Sequence, residues 1–204
     1  MINAVIDVSH HNGTSLDFNK AKADGIVGVI HKASQGMGNL DALYKTNRKK
    51  ATAAGMLWGA YHFATGGDGA KQADIFLNAV GDPAGVLMVL DFEPNTAGPT
   101  MDLNEAHTFV THIFQATGRW PGFYSGHLIK DLLKGQKDPI LANCWLWLAQ
   151  YGATAVVQPT WPTWTMWQYT DGSDGKEPVK GIGHCDRDRF NGDEDHLRTL
   201  WLGH

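Results

Sequence analysis

Apolar positions along this chain switch between two spacings. Short runs rich in β-branched and aromatic residues are separated by stretches where apolar residues return every three or four places. The runs predict eight strands, over residues 4–9, 28–34, 57–64, 86–93, 122–125, 145–151, 163–170 and 185–190. Between them the longer spacing predicts helices over 16–24, 41–54 and 69–80, one opened by Asp102, and a last short one over 193–201. Gly55 stands where a left-handed residue ends a helix. Asp102 with Glu105 three residues later is a capping-box pattern, and Ala106, Phe109, Val110, Ile113 and Phe114 share one face behind it.

Strands alternating with helices imply a parallel sheet with right-handed crossovers. Eight strands suggest that the sheet closes. The expected fold is therefore α/β, a distorted β/α barrel of about eight strands and roughly five helices, with irregular connections between the last strands. A doubly wound open sheet is the alternative. Neither GxGxxG nor GxxxxGK[ST] follows any strand, which leaves dinucleotide and P-loop readings without support. No Ser/Pro-rich linker interrupts the pattern, and 204 residues suit one domain, 1–204.

Composition narrows the function classes. Seventeen basic against 21 acidic residues give a net charge of −4, unlike the basic stripe of a nucleic-acid binder. The longest apolar run, near 86–90, is too short to span a membrane. The start, MINAVID, has no basic region and no long apolar run, so synthesis without a signal peptide, in the producing cell's cytoplasm, is expected. Cys144 and Cys185 form no CxxC pair and no disulfide framework. Five of the eight tryptophans (Trp145, Trp147, Trp161, Trp164, Trp167) crowd into 145–167, as aromatic core or as a groove that stacks on sugar rings.

Chemistry in such folds collects at the carboxyl ends of the strands. There the sequence puts Asp7 on the first strand, Asp91 and Glu93 on the fourth, and Asp186 and Asp188 on the eighth. Residues i and i+2 of a strand share a face, so Asp91 and Glu93 stand side by side, their Cα atoms about 6.5–7 Å apart. Their repulsion favours one held proton and one anion, which is what glycosidic cleavage needs. In a closed barrel the first and eighth strands are neighbours, bringing Asp7 to Asp186. Asp186 and Asp188 share a face too, and one of them has Arg187 or Arg189 as a possible ion-pair partner.

The blocks DVSHHNG (7–13), GVIHKASQG (28–36), GAYHFA (59–64), LDFEP (90–94), GFYSG (122–126), LWLAQYG (146–152), MWQYTDG (166–172) and CDRDRFNG (185–192) resemble, in order, the motifs of glycoside hydrolase family 25. These are the Chalaropsis-type lysozymes, muramidases that cut peptidoglycan. The resemblance implies a distorted barrel and a catalytic set of Glu93 as general acid, Asp91 as its anionic partner, and Asp7 and Asp186 as further active-site aspartates. It places Tyr61, Tyr124, Trp147, Gln150 and Gln168 as substrate-binding residues. It implies bacterial peptidoglycan as partner, a monomer acting on the cell wall, and no metal, cofactor, nucleic acid or membrane insertion. Retention by substrate assistance is the expected course, with direct attack by Asp91 kept open. His31 departs from the usual aliphatic residue and reads as an outer-face or core histidine, and Asp188 stands where Asn is frequent.

Two other classes remain. One is a metal-dependent barrel hydrolase, with ten histidines available but no HExxH and no HxH on a strand. The other is a non-catalytic glycan-binding module, which the tryptophans favour and the DxE pair does not need. The missing export signal resembles a phage endolysin, although a secreted bacterial enzyme or a toxin domain would read the same.

Overall fold

The computed structural model describes residues 1–173 and 178–203. Nine strands are β1 (Ile2–Val8), β2 (Gly28–Gln35), β3 (Asn39–Leu40), β4 (Leu57–Phe63), β5 (Val86–Asp91), β6 (Gly122–Ser125), β7 (Trp145–Ala149), β8 (Met166–Thr170) and β9 (Asp186–Phe190). The helices are α1 (Phe18–Ala23), α2 (Tyr44–Ala53), α3 (Gly69–Val80), α4 (Leu103–Thr117), α5 (His127–Leu133) and α6 (Glu194–Leu202). Because β1 pairs with both β2 and β9, eight strands close into a barrel in the order β1-β9-β8-β7-β6-β5-β4-β2. The short β3 hangs on β2 outside the ring. All eight expected strands form, and the open-sheet alternative is excluded.

Two expectations are corrected. The sheet is mixed, because β9 runs antiparallel to both β1 and β8. A parallel neighbour needs a crossover, usually helical. The described part of the 171–185 connection carries no helix and turns back through Gly172, Gly181 and Gly183, all at positive φ. Asp186 therefore lies at the amino end of β9, not at a carboxyl end. The antiparallel direction still brings it to the same rim, paired in register with Asp7. The link from β6 to β7 is also more regular than expected, since it contains α5. That helix has seven residues and leaves Leu132 exposed, so its apolar pattern is too short to recognise.

Two cores follow from strand alternation. Outward side chains, Val29, Trp58, Met88, Leu90 and Phe123 among them, pack beneath the helices. Inward side chains fill the barrel with Val5, Ile30, Leu87, Val89, Trp147, Met166 and Phe190. The long helix α4 fixes one flank. Asp102 Oδ1 accepts from the Glu105 amide and Glu105 Oε2 from the Asp102 amide, both at 2.8 Å, while Glu105 Oε1 accepts from Gly67 N at 2.8 Å. That capping box also ties down the loop following β4.

The bottom of the barrel is plugged by Trp201 of α6. Its Nε1 donates to Trp58 O at 2.7 Å, and its ring lies where a Cβ on Gly28 would come within 2.9 Å and one on Gly59 within 3.2 Å. Glycine at the start of β2 and at the third position of β4 makes room for the indole. Trp201 is fully buried. Trp201→Ala is expected to cost about 3–5 kcal/mol through lost burial and an unfilled cavity. The urea midpoint of the variant against the wild type checks this.

Candidate active site

The open rim of the barrel is acidic. A cavity of about 210 Å³ is lined by Asp7, Tyr61, Asp91, Glu93, Tyr124, Trp147, Tyr151, Gln168 and Asp186. It opens into a wider cleft of about 440 Å³ lined by Glu93, Pro94, Tyr124, His127, Leu128, Ala149, Gln150, Tyr151 and Gln168, among others. Eight of the nine residues expected at the site thus share the inner pocket. Gln150 lies in the outer cleft, where its amide is engaged by Lys130 Nζ (2.8 Å) and by Thr154 O (2.7 Å) and holds the loop beyond β7.

Each side chain reaches the pocket because it falls on the inward parity of its strand. Asp7 follows Val5 on β1, Tyr61 follows Gly59 on β4, Asp91 follows Val89 on β5, and Gln168 follows Met166 on β8. Glu93 lies just past the end of β5, where the chain leaves the rim. The polar groups form a directed network. Tyr124 Oη donates to Gln168 Oε1 at 2.8 Å, Tyr151 Oη to the same oxygen at 3.3 Å, and Gln168 Nε2 to Asp7 Oδ2 at 2.9 Å. One layer deeper, Trp147 Nε1 donates to Asp188 Oδ1 at 2.7 Å.

Burial raises every acid in this ring, and repulsion from neighbouring acids adds to it at Asp7, Asp91 and Asp186. Asp91 is held well above the ordinary carboxylate range by burial and then by the charge of Glu93. Burial raises Glu93 as well, and Lys32 pulls both back down. Asp7 is raised by burial and by Asp186 and Asp188, while Asp186 is pushed up to about 6 by burial and then by Asp171. Carboxylates packed this closely keep protons that exposed ones would lose.

Three contributors escaped the sequence reading as site residues. Lys32 sits half-buried at the rim, two residues beyond the inward Ile30, with its charge beside Asp91 and Glu93. It donates to Gln35 Oε1 at 2.5 Å and lies 5.0 Å above the Phe63 ring. The signal was a lysine on the inward parity of an otherwise apolar strand. Tyr151 closes the run 145–151 and borders both pocket and cleft. Asp188 was visible as the second acid of the DRD triplet, and it accepts a hydrogen bond from the Trp147 indole.

The tryptophan question divides. Trp147 lines the pocket, whereas Trp161 and Trp167 are buried in the outer core and donate to Cys144 O (2.9 Å) and Gln150 O (2.6 Å). His31 is a core histidine as expected, fully buried with Nε2 3.0 Å from Asn47 Nδ2 and its ring beside Tyr44 and Trp58. Among the described residues, no group of His, Cys, Asp and Glu has the geometry to hold a metal ion.

Comparison with known proteins gives the family and the fold. The model of the family described as "Glycosyl hydrolases family 25" matches residues 6–177. Lysozyme M1 of Streptomyces globisporus is 31% identical over 209 aligned residues, spanning 96% of this chain and 70% of that protein. Among solved structures, a bacterial lysozyme from Streptomyces coelicolor superposes with a TM-score of 0.89 at 29% identity, covering 100% of this chain and 99% of that one. A muramidase from Acremonium alcalophilum gives 0.86 at 31% identity, with both chains covered completely.

Proposed function

The chain belongs to glycosyl hydrolases family 25, and from that premise we propose that it cuts the β-1,4 bond between N-acetylmuramic acid and N-acetylglucosamine in bacterial peptidoglycan, with Glu93 as general acid and Asp91 as anionic partner. The observation that carries the residue roles is the position of Glu93. It borders both the inner pocket and the outer cleft, whereas Asp91 borders the pocket alone. A sugar in the pocket with its leaving group in the cleft puts the scissile oxygen at that junction, and the acid has to stand there.

Asp91 is 5% exposed and carries a buried oxygen, Oδ1, without a hydrogen-bond partner. It is placed to orient the N-acetyl group of the pocket sugar as that group attacks the anomeric carbon. The product then keeps its anomeric configuration. Glu93 gives its proton to the departing oxygen and takes one back from the incoming water. Asp7 and Asp186 form the opposite wall, and Tyr124, Tyr151 and Gln168 supply hydroxyl and amide groups for the sugar rim. Trp147, Tyr61 and Tyr124 give the pocket aromatic walls, and residues 1–204 act as one catalytic unit.

Purified cell wall exposed to the enzyme should lose turbidity and gain reducing ends, at an unchanged rate in the presence of a chelator. NMR of the first-formed product should show the β-anomer. Inhibition by the chelator would indicate the metal hydrolase, and binding without clearing would indicate a glycan-binding module.

A further inference from the structure

Asp188 belongs to the barrel interior rather than to its rim. It is fully buried, in register between Val5 on β1 and Gln168 on β8, with Met166, Phe190 and Trp147 nearby in the same inner core. Its Oδ1 accepts from Trp147 Nε1 at 2.7 Å, while Oδ2 is buried and takes no hydrogen bond from any N–H or O–H. An ionised carboxylate so placed would have one donor for two charged oxygens, a costly arrangement in an apolar layer. The titratable groups facing it are Asp7 from β1 and Asp186 on its own strand, both acidic; β7 and β8 present only Trp147 and the neutral Gln168. Among the described residues no cation offsets a charge there, and burial raises its pKa well above the ordinary range.

Asp7 is its complement. Its Oδ2 accepts from Gln168 Nε2 at the end of a chain that starts at the Tyr124 and Tyr151 hydroxyls, and unlike Asp188 it lines the open pocket, where solvent reaches a charge. We propose that Asp188 is a protonated acid that accepts from Trp147 and donates its proton to Asp7, a positioning residue that keeps Asp7 oriented and ionised in the pocket wall. The pair then holds one proton and one negative charge. Its activity arm rests on the reaction proposed above; its spectroscopic arm does not.

Two variants test it. Asp188→Asn supplies the same acceptor and a permanent N–H donor, whereas Asp188→Leu supplies neither. The Asn variant should keep wall-lysing kcat within about threefold of wild type, and the Leu variant should lose about 30–100-fold in kcat with little change in KM, the penalty of a misplaced group. In infrared difference spectra near neutral pH, wild type minus the Asn variant should show the loss of one protonated carboxylic C=O stretch with the carboxylate bands unchanged. Loss of a carboxylate band instead, or an Asn variant as impaired as the Leu variant, would overturn the proposal. If the chain proves inactive on wall altogether, the infrared result decides the proton's position on its own.

Discussion

Replacing Glu93 with Gln is expected to lower wall-lysing kcat by about 10²–10⁴-fold while the fold stays intact. The amide keeps the shape and removes the transferable proton at the one carboxyl group that borders both pocket and cleft. The pH profile sharpens this expectation. Glu93 is raised by burial, so it stays protonated above the pH at which an exposed glutamate ionises. Wild-type activity should therefore fall as pH rises through the upper ionisation of the Asp91–Glu93 pair, and fall again at low pH once the pair holds two protons. In the Gln variant the remaining activity should lack the alkaline limb. Near wild-type clearing by this variant, with the alkaline limb intact, would move the acid to another residue.

Asp91→Asn should be damaging to a similar degree, about 10²–10³-fold in kcat, because the transition state loses its anion. The same substitution should stabilise the protein at neutral pH. Asp91 binds its proton more tightly in the folded chain than in the unfolded one. Its contribution is therefore fully present below the unfolded aspartate pKa of about 4 and is lost as pH rises toward the folded value. Asparagine has no charge to bury and no such loss. The Tm of the variant should match wild type near pH 4 and exceed it increasingly toward pH 7. A variant that is inactive and equally destabilised at every pH would point to misfolding rather than to a lost anion.

Much of this architecture is legible in the sequence because each strand carries its own signal. The run VLMVLDFE has no charge before Asp91, and all six residues of β5 are buried. The capping box at Asp102 and Glu105 forms as the spacing requires. The pocket acids are legible because strand parity and closure together determine which side chains meet. The direction of β9 is not legible, since parity is the same for a strand run either way; the direction depends on the connection before it. Lys32 and Asp188 escaped as site residues for a related reason. Both have the inward parity of the pocket acids, but whether an inward charge reaches the rim or lies a layer deeper depends on the stagger between strands, which only the assembled barrel reveals.

The choice of bond is the claim that the carboxylates alone do not decide, since both linkages of peptidoglycan pass through the same kind of transition state. Digesting purified wall with the enzyme, reducing the products with borohydride and hydrolysing them to free sugars reads the new reducing end directly. Conversion of muramic acid to its alcohol is the predicted result. Glucosaminitol as the main product would make this fold a glucosaminidase, and new amino-acid termini without new reducing ends would contradict glycosidic cleavage altogether.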